Sequence, residues 1–179
     1  MRKLFAAAAL ALLPVTAMAE DNVVRHLNEG STFPIAKATE IKPGATTYYI
    51  SGMTPRITNE AVDKNTVEAF GDMKTQTVSV LSSIEKSLSD IGLTMGDVVK
   101  MQVYLVAPED EPADFSGFME GYTQFFGTEA QPNLPARSAM IVDALVNKNW
   151  LVEIEVTAAK QARGFILIRR LFEAGGGFY

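Results

Sequence analysis

The sequence predicts an α+β fold: a single domain in which one mixed β-sheet carries two helices on one face. Three observations predict it. Short stretches rich in β-branched and aromatic residues are interrupted by two longer stretches whose apolar residues recur every three or four positions. The resulting order, β-β-β-α-β-α-β-β, has runs of strands broken by two helices rather than a regular βαβ alternation. The strands near residues 100 and 154 alternate apolar and polar side chains, so one face is buried and the other is only half polar.

Taken in order, residues 20–34 mix charge with Gly30 and Pro34 and hold a short edge strand around Val23 to Leu27. Lys37 to Ile41 is a second strand, stopped by the turn pair Pro43-Gly44. Thr46 to Met53 is β-branched and aromatic and reads as a third, ending at Ser51-Gly52. After a polar loop, Thr66 to Ile91 is expected to be one long helix. Val67, Phe70, Met73, Val78, Leu81, Ile84, Leu88 and Ile91 make its apolar stripe, Asn65 or Thr66 caps its start, and Gly92 ends it. Gly71 inside that stripe costs roughly 1 kcal/mol relative to Ala and points to close packing.

Val99 to Val106 alternates strictly, with Val99, Met101, Val103 and Leu105 on one face. Pro108-Glu109-Asp110-Glu111-Pro112 is an acidic turn. Ala113 to Phe126 is the second helix, and its aromatic stripe of Phe115, Phe118, Tyr122, Phe125 and Phe126 reads as core. Arg137 to Leu145 and Trp150 to Ala158 are the last two strands, expected to form a hairpin across Val146-Asn147-Lys148-Asn149. The helices cover one sheet face only. Burial of the other against further copies of the chain is the economical solution.

The N-terminal segment has a basic start at Arg2 and Lys3, an apolar run from Leu4 to Leu13, and the small-x-small site Ala17-Met18-Ala19. That pattern predicts a secretory signal over residues 1–19, too short to span a membrane. Cleavage after Ala19 leaves 160 residues and moves the formal charge from −5 to −7. The expected destination is outside the cytoplasm, the periplasm in a diderm host, with no membrane attachment after cleavage. An acidic chain also has little attraction for nucleic acid. Residues 20–160 are then one domain, and 161–179 a C-terminal extension without an assigned role.

The chain has no cysteine and a single histidine, His26, read as a surface strand residue. No thiolate nucleophile, Ser-His-Asp triad or multi-His metal centre fits that inventory, so neither a metal nor a cofactor is expected. The chemistry must come from Arg, carboxylates, hydroxyls, backbone groups and water. Pro135-Ala136-Arg137-Ser138, followed by Leu151-Val152-Glu153-Ile154-Glu155-Val156, supplies such parts on two successive strands. A guanidinium is a planar, always-charged fork that matches a carboxylate with two hydrogen bonds. A strand Glu beside it can hold a water or move a proton. The bland alternative is that Arg137 pairs with a nearby acid such as Asp143. Glu155 shares a strand face with Glu153, and spacing does not choose between them.

These pieces resemble the RidA family (YjgF/YER057c type) of enamine and imine deaminases. The resemblance runs through Tyr49-Ile50-Ser51-Gly52, Gly96-Asp97-Val98-Val99-Lys100, Gly121-Tyr122-Thr123-Gln124-Phe125-Phe126 and the closing Pro-x-Arg-Ser and Val-Glu-Ile-Glu, covering roughly residues 30–160. It implies a RidA-like, chorismate mutase-like fold and a homotrimer with clefts between subunits. It also implies hydrolysis of 2-aminoacrylate-like enamines and imines to 2-oxo acids and ammonia. Arg137 would bind the substrate carboxylate, Glu153 would position water, and the backbone of Gly52 and Ala139 would line the pocket. The implied partner is a small carboxylate, an imino or 2-oxo acid. Three positions depart from the family pattern: Ile35 where a Tyr often follows the Pro, Met119 where an Asn is usual, and Ala139 where Cys is frequent. They imply a more apolar pocket, and leave open a trimer that binds small molecules or proteins in the same clefts without catalysis.

Overall fold

The computed structural model describes residues 22–108 and 111–161. The predicted signal 1–19, Glu109 and Asp110 of the acidic turn, and the extension beyond Gln161 lie outside the described residues. The strands are β1 Val23–His26, β2 Ala38–Ile41, β3 Ala45–Met53, β4 Val98–Val106, β5 Ala136–Val142 and β6 Val152–Gln161. The helices are α1 Met73–Asp90 and α2 Phe115–Tyr122, with single 3-10 turns at Val67–Ala69 and Met95–Asp97.

β3, β6, β4 and β5 form a mixed sheet in that order; β1 and β2 pair separately as a small antiparallel ribbon. β6 runs antiparallel to both neighbours, whereas β4 and β5 are parallel. The expected hairpin between the last two strands is therefore not formed. Parallel neighbours need a crossover, and α2 supplies it between β4 and β5. The chain then returns past β5 to insert β6 on the far side of β4. Pairing on both sides satisfies the backbone of β6, and Val152, Ile154, Val156 and Ala158 are all buried.

Both helices cover one face of this sheet. Val80, Leu81, Ile84 and Leu88 of α1 and Phe118 and Tyr122 of α2 are fully buried against Met101, Val103, Leu105 and Ile154. Each large apolar side chain buried in this way contributes on the order of 1.5–3 kcal/mol. The helices meet at a glycine: a Cβ on Gly121 would lie 2.8 Å from the Cβ of Thr77 and 3.1 Å from the backbone oxygen of Lys74. The buried amide of Gln76 braces the start of α1. It donates to the carbonyls of Gly71 at 2.9 Å and Asn149 at 3.1 Å, and accepts from the Leu151 amide at 2.8 Å.

α1 begins seven residues later than its apolar stripe suggests. Gly71 adopts φ +85°, which ends any helical run reaching it, and Asp72 caps the new start by accepting from the Thr75 amide at 2.8 Å. Those bonds from Thr75 hold the Asp72 carboxyl below the usual carboxylate range. α2 is likewise shorter than expected, with Asp114 capping Gly117 at 2.8 Å. Val99 leaves the alternating face as well: a register shift between Val98 and Lys100 turns it into a small second cluster with Val23 and Ala159.

Candidate active site

Arg137 lies opposite Met101 in the parallel β4–β5 register, so its side chain rises on the helix-packed face. β5 is an edge strand of this sheet, and α2 leans over it. The arginine carbon Cζ sits 4.3 Å from the ring centroid of Tyr122, 5.0 Å from Phe118, 5.5 Å from Phe33 and 5.9 Å from Phe115. Ring faces carry partial negative charge, and such contacts gain strength when water is excluded. Nη2 donates to the sulfur of Met119 at 3.3 Å, and Nη1 is buried with no hydrogen-bond partner. Burial pushes the Arg137 pKa below its ordinary value, with Tyr122 opposing the shift; the group still carries its charge throughout the working pH range.

Asp143 is not the partner of Arg137. Among the described residues no carboxylate pairs with this guanidinium, and its contacts are aromatic rings and one thioether. The Tyr122 hydroxyl is committed elsewhere, donating to the Pro34 carbonyl at 2.8 Å. Burial pushes its pKa up to about 12, against the pull of the neighbouring arginine charge.

Glu153 occupies the other face. It lies opposite Tyr104 in the antiparallel β4–β6 register, while its neighbours Val152 and Ile154 point into the core. Its carboxylate rests over the Cα of Gly52, where β3 bulges between Ile50 and Met53, and any Cβ at Gly52 would overlap it. Among the described residues the Glu153 carboxylate makes no hydrogen bond and no ion pair. Glu155 is different: it accepts from Gln102 Nε2, which also reaches the Tyr104 hydroxyl at 3.1 Å. The structure thus separates two carboxylates that strand spacing left equivalent.

Ala139 is exposed two residues along β5, on the same face as Arg137. The predicted site residues therefore fall into two groups. Arg137 and Ala139 stand on the helix-packed face at the β5 edge. Glu153 and Gly52 stand toward the β3 edge, Glu153 on the opposite face. The fold brings Glu153 to Gly52 but does not bring either to Arg137.

The aromatic stripe of α2 reads from sequence as core, and Phe118, Tyr122 and Phe126 are core, whereas Phe115 is exposed at the start of the helix. Phe115, Phe118 and Tyr122 nonetheless share a second role, because their spacing places three rings along the side of α2 that meets Arg137. Phe33 has no such periodic signal. His26 is an exposed strand residue, its Nε2 3.3 Å from a Glu40 oxygen. Among the described residues no group of three or more His, Asp or Glu side chains is placed to hold a metal. Two surface depressions lie apart from both groups. One, of about 540 Å³, runs along α1 beside Arg56, Lys74 and Ser79; the other, of about 280 Å³, lies on the open sheet face between Tyr49, Lys100 and Glu155.

Known proteins are similar to this chain in sequence and in fold. A RutC family protein of Pyrococcus horikoshii is 33% identical over 134 residues, 74% of this chain and 94% of that one. The 3-aminoacrylate deaminase RutC of Acinetobacter baylyi is 30% identical over 132 residues, 74% of this chain and 94% of its own length. A crystal structure of a Rid family protein from Yersinia pestis superposes with a TM-score of 0.58 at 24% identity, over 78% of this chain and 99% of that one. The model of the endoribonuclease L-PSP family matches residues 38–160. The chain therefore belongs to the endoribonuclease L-PSP family, which is the RutC/YjgF family that its motifs resemble under the name RidA.

Proposed function

We propose that this protein hydrolyses enamines and imines adjacent to a carboxylate, 2-aminoacrylate-like intermediates, to 2-oxo acids and ammonia. The observation that carries the reading is Arg137: a guanidinium held flat among rings, with Nη1 unpartnered and only a thioether on Nη2. A buried donor without an acceptor is costly, and a ligand carboxylate offers oxygens to both nitrogens in place of a weak sulfur acceptor. The name of the Acinetobacter relative, a 3-aminoacrylate deaminase, supports the same class of reaction.

In this reading an enamine first tautomerises to the imine, gaining a proton on carbon and losing one from nitrogen. Water then adds to the imine carbon as Glu153 accepts its proton. The carboxyl returns that proton to the nitrogen, giving a carbinolamine; it then carries the hydroxyl proton to the amino nitrogen as the carbon–nitrogen bond breaks, so that ammonia leaves and the carbonyl remains. The imine carbon is already electrophilic, so orientation and one proton shuttle suffice, the latter contributing on the order of 10²–10⁴-fold. Glu153 suits the task because, unlike Glu155, it has no hydrogen bond to give up.

One copy cannot close both residues on a ligand of a few atoms, because they lie on opposite sheet faces and toward opposite edges. The proposal therefore includes a homotrimer in which Glu153 and Gly52 of one copy face Arg137 and Ala139 of the next. Half-apolar strand residues on the open face, with Tyr49 85% exposed, support such burial. Export through the segment at residues 1–19 belongs to the same proposal and rests on its sequence pattern.

A second reading, a trimer that binds carboxylates without turning them over, is favoured by one contact. Met119 meets Arg137 where the family pattern has a polar side chain. Cleavage of RNA, which the family description names, fits poorly with a formal charge of −5. Turnover separates the readings. An amino-acid oxidase generates imines in place, and semicarbazide trapping reports how long they last. Faster loss of trappable imine with the protein present is expected; binding of 2-oxo acids with no effect on imine lifetime would establish the binding reading instead.

A further inference from the structure

The side chains around Arg137 also say something about what the carboxylate is attached to. Phe33 and Phe115 each leave nearly half of their surface in solvent, 45% and 42%, with ring centroids 5.5 and 5.9 Å from the guanidinium carbon. Met119, whose sulfur meets the guanidinium, is half-buried. The nearby hydroxyl of Tyr122 is spent on Pro34. Among the described residues, the side chains around the guanidinium are four aromatic rings and one thioether, a surround mostly of carbon and sulfur. A carboxylate seated on Arg137 holds its α-substituent within a few ångströms of those half-exposed rings.

Resting on the reading above, we infer that the site selects imino acids with an aromatic or long aliphatic side chain over 2-aminoacrylate and other small ones. Burying such a side chain against Phe33, Phe115 and Met119 removes apolar surface from water on both partners. A small substrate leaves the rings exposed, and a polar one leaves its own groups unpaired. The inference also fixes the class of reaction upstream. Aromatic and branched aliphatic side chains carry no leaving group on Cβ, so their imines do not arise by β-elimination. They arise by two-electron oxidation of the amino acid, the Cα hydrogen leaving as hydride to an acceptor and the nitrogen losing a proton.

The test uses imines generated by an amino-acid oxidase from phenylalanine, leucine and alanine, followed by semicarbazide trapping. Wild type is expected to favour the phenylalanine and leucine imines over the alanine imine by about tenfold or more in kcat/KM, the low end of apolar-pocket discrimination because the rim is half open. Phe115→Ala should bring that ratio towards one, whereas Phe115→Leu, which keeps an apolar side chain and guards against loss of fold, should preserve most of it. An alanine imine turned over as fast as the other two overturns the inference while leaving the deaminase reading standing. A ratio unchanged in Phe115→Ala with the oligomer intact also overturns it, since the ring then takes no part in selection. No turnover of any imine removes the deaminase reading itself.

Discussion

Arg137 stands beside Met101 on the helix-packed face of the sheet, Glu153 stands beside Tyr104 on the open face, and β4 runs between their two strands. The two residues that the motifs join in sequence are held apart by the topology. The strand order puts β4 between them, and the registers, Arg137 with Met101 and Glu153 with Tyr104, put the guanidinium and the carboxylate on opposite faces of one layer. Any chemistry that needs both must borrow one of them from another copy.

Replacing Arg137 by lysine tests geometry separately from charge. Lysine keeps the positive charge but offers a point donor instead of a planar fork, and it stacks less well on rings. Losing a charge-assisted contact costs roughly 1.5–3 kcal/mol, so affinity for a 2-oxo acid should fall about tenfold or more. Calorimetric titration with pyruvate or phenylpyruvate, alongside melting temperature, checks this. Unchanged affinity would make Arg137 a structural residue.

Gly52 predicts a different defect. Its φ is not in the left-handed region, so alanine is tolerated by the backbone, but the new Cβ would overlap the Glu153 carboxylate. Gly52→Ala should therefore displace that side chain and reduce turnover about as much as Glu153→Gln, with 2-oxo acid binding at Arg137 weakened far less. Full activity in Gly52→Ala would mean that the position of Glu153 over this glycine is irrelevant to the reaction.

Tyr122 should make stability fall in alkali. Its pKa is raised to about 12 from an ordinary value of 10.0, chiefly by burial, so the fold favours the neutral phenol. The resulting stabilisation is complete below pH 10 and is lost as pH rises from 10 to 12, where the unfolded chain ionises first; it amounts to at most roughly 3 kcal/mol. Tyr122→Phe removes this sensitivity along with the bond to Pro34. The wild type should thus be the more stable protein at neutral pH, and the gap should close or reverse by pH 12 in denaturant titrations. A gap that stays constant would place the hydroxyl in a solvated setting.

How far these relationships were legible in the sequence depended on their range. β-branched runs, turn residues, strand alternation and helical stripes located the described strands and both helices, because all of these are local properties of the chain. The start of α1 was missed because the apolar stripe continues through Val67 and Phe70; only the left-handed turn at Gly71 and the cap at Asp72 end the helix. The expected hairpin of β5 and β6 fails for a related reason: loop length permits a hairpin, and only the insertion of β4 between them forbids it. Arg137 and Glu153 were legible as chemistry-bearing residues. Their separation, the ring box around Arg137 and the preference for Glu153 over Glu155 were not, since each depends on which strands and helices become neighbours.

Export has its own direct check. If residues 1–19 are removed after Ala19, intact mass and N-terminal analysis of protein recovered outside the cytoplasm should begin at Glu20. Exported protein still carrying Met1 would contradict processing at that site.

Subunit complementation tests the central claim most directly, after imine hydrolysis by wild type and a trimer by light scattering have been recorded. Arg137→Ala and Glu153→Gln chains, each inactive alone, are unfolded together in equal amounts, refolded and assayed for imine hydrolysis. If each site takes Arg137 from one copy and Glu153 from the next, random mixing restores about a quarter of the wild-type sites, since three in four trimers are mixed and each mixed trimer holds one intact pair. Recovery near that fraction is the predicted result. Mixed trimers with no activity beyond that of the two variants alone would contradict a site shared between copies, and with it the mechanism assigned to Arg137 and Glu153.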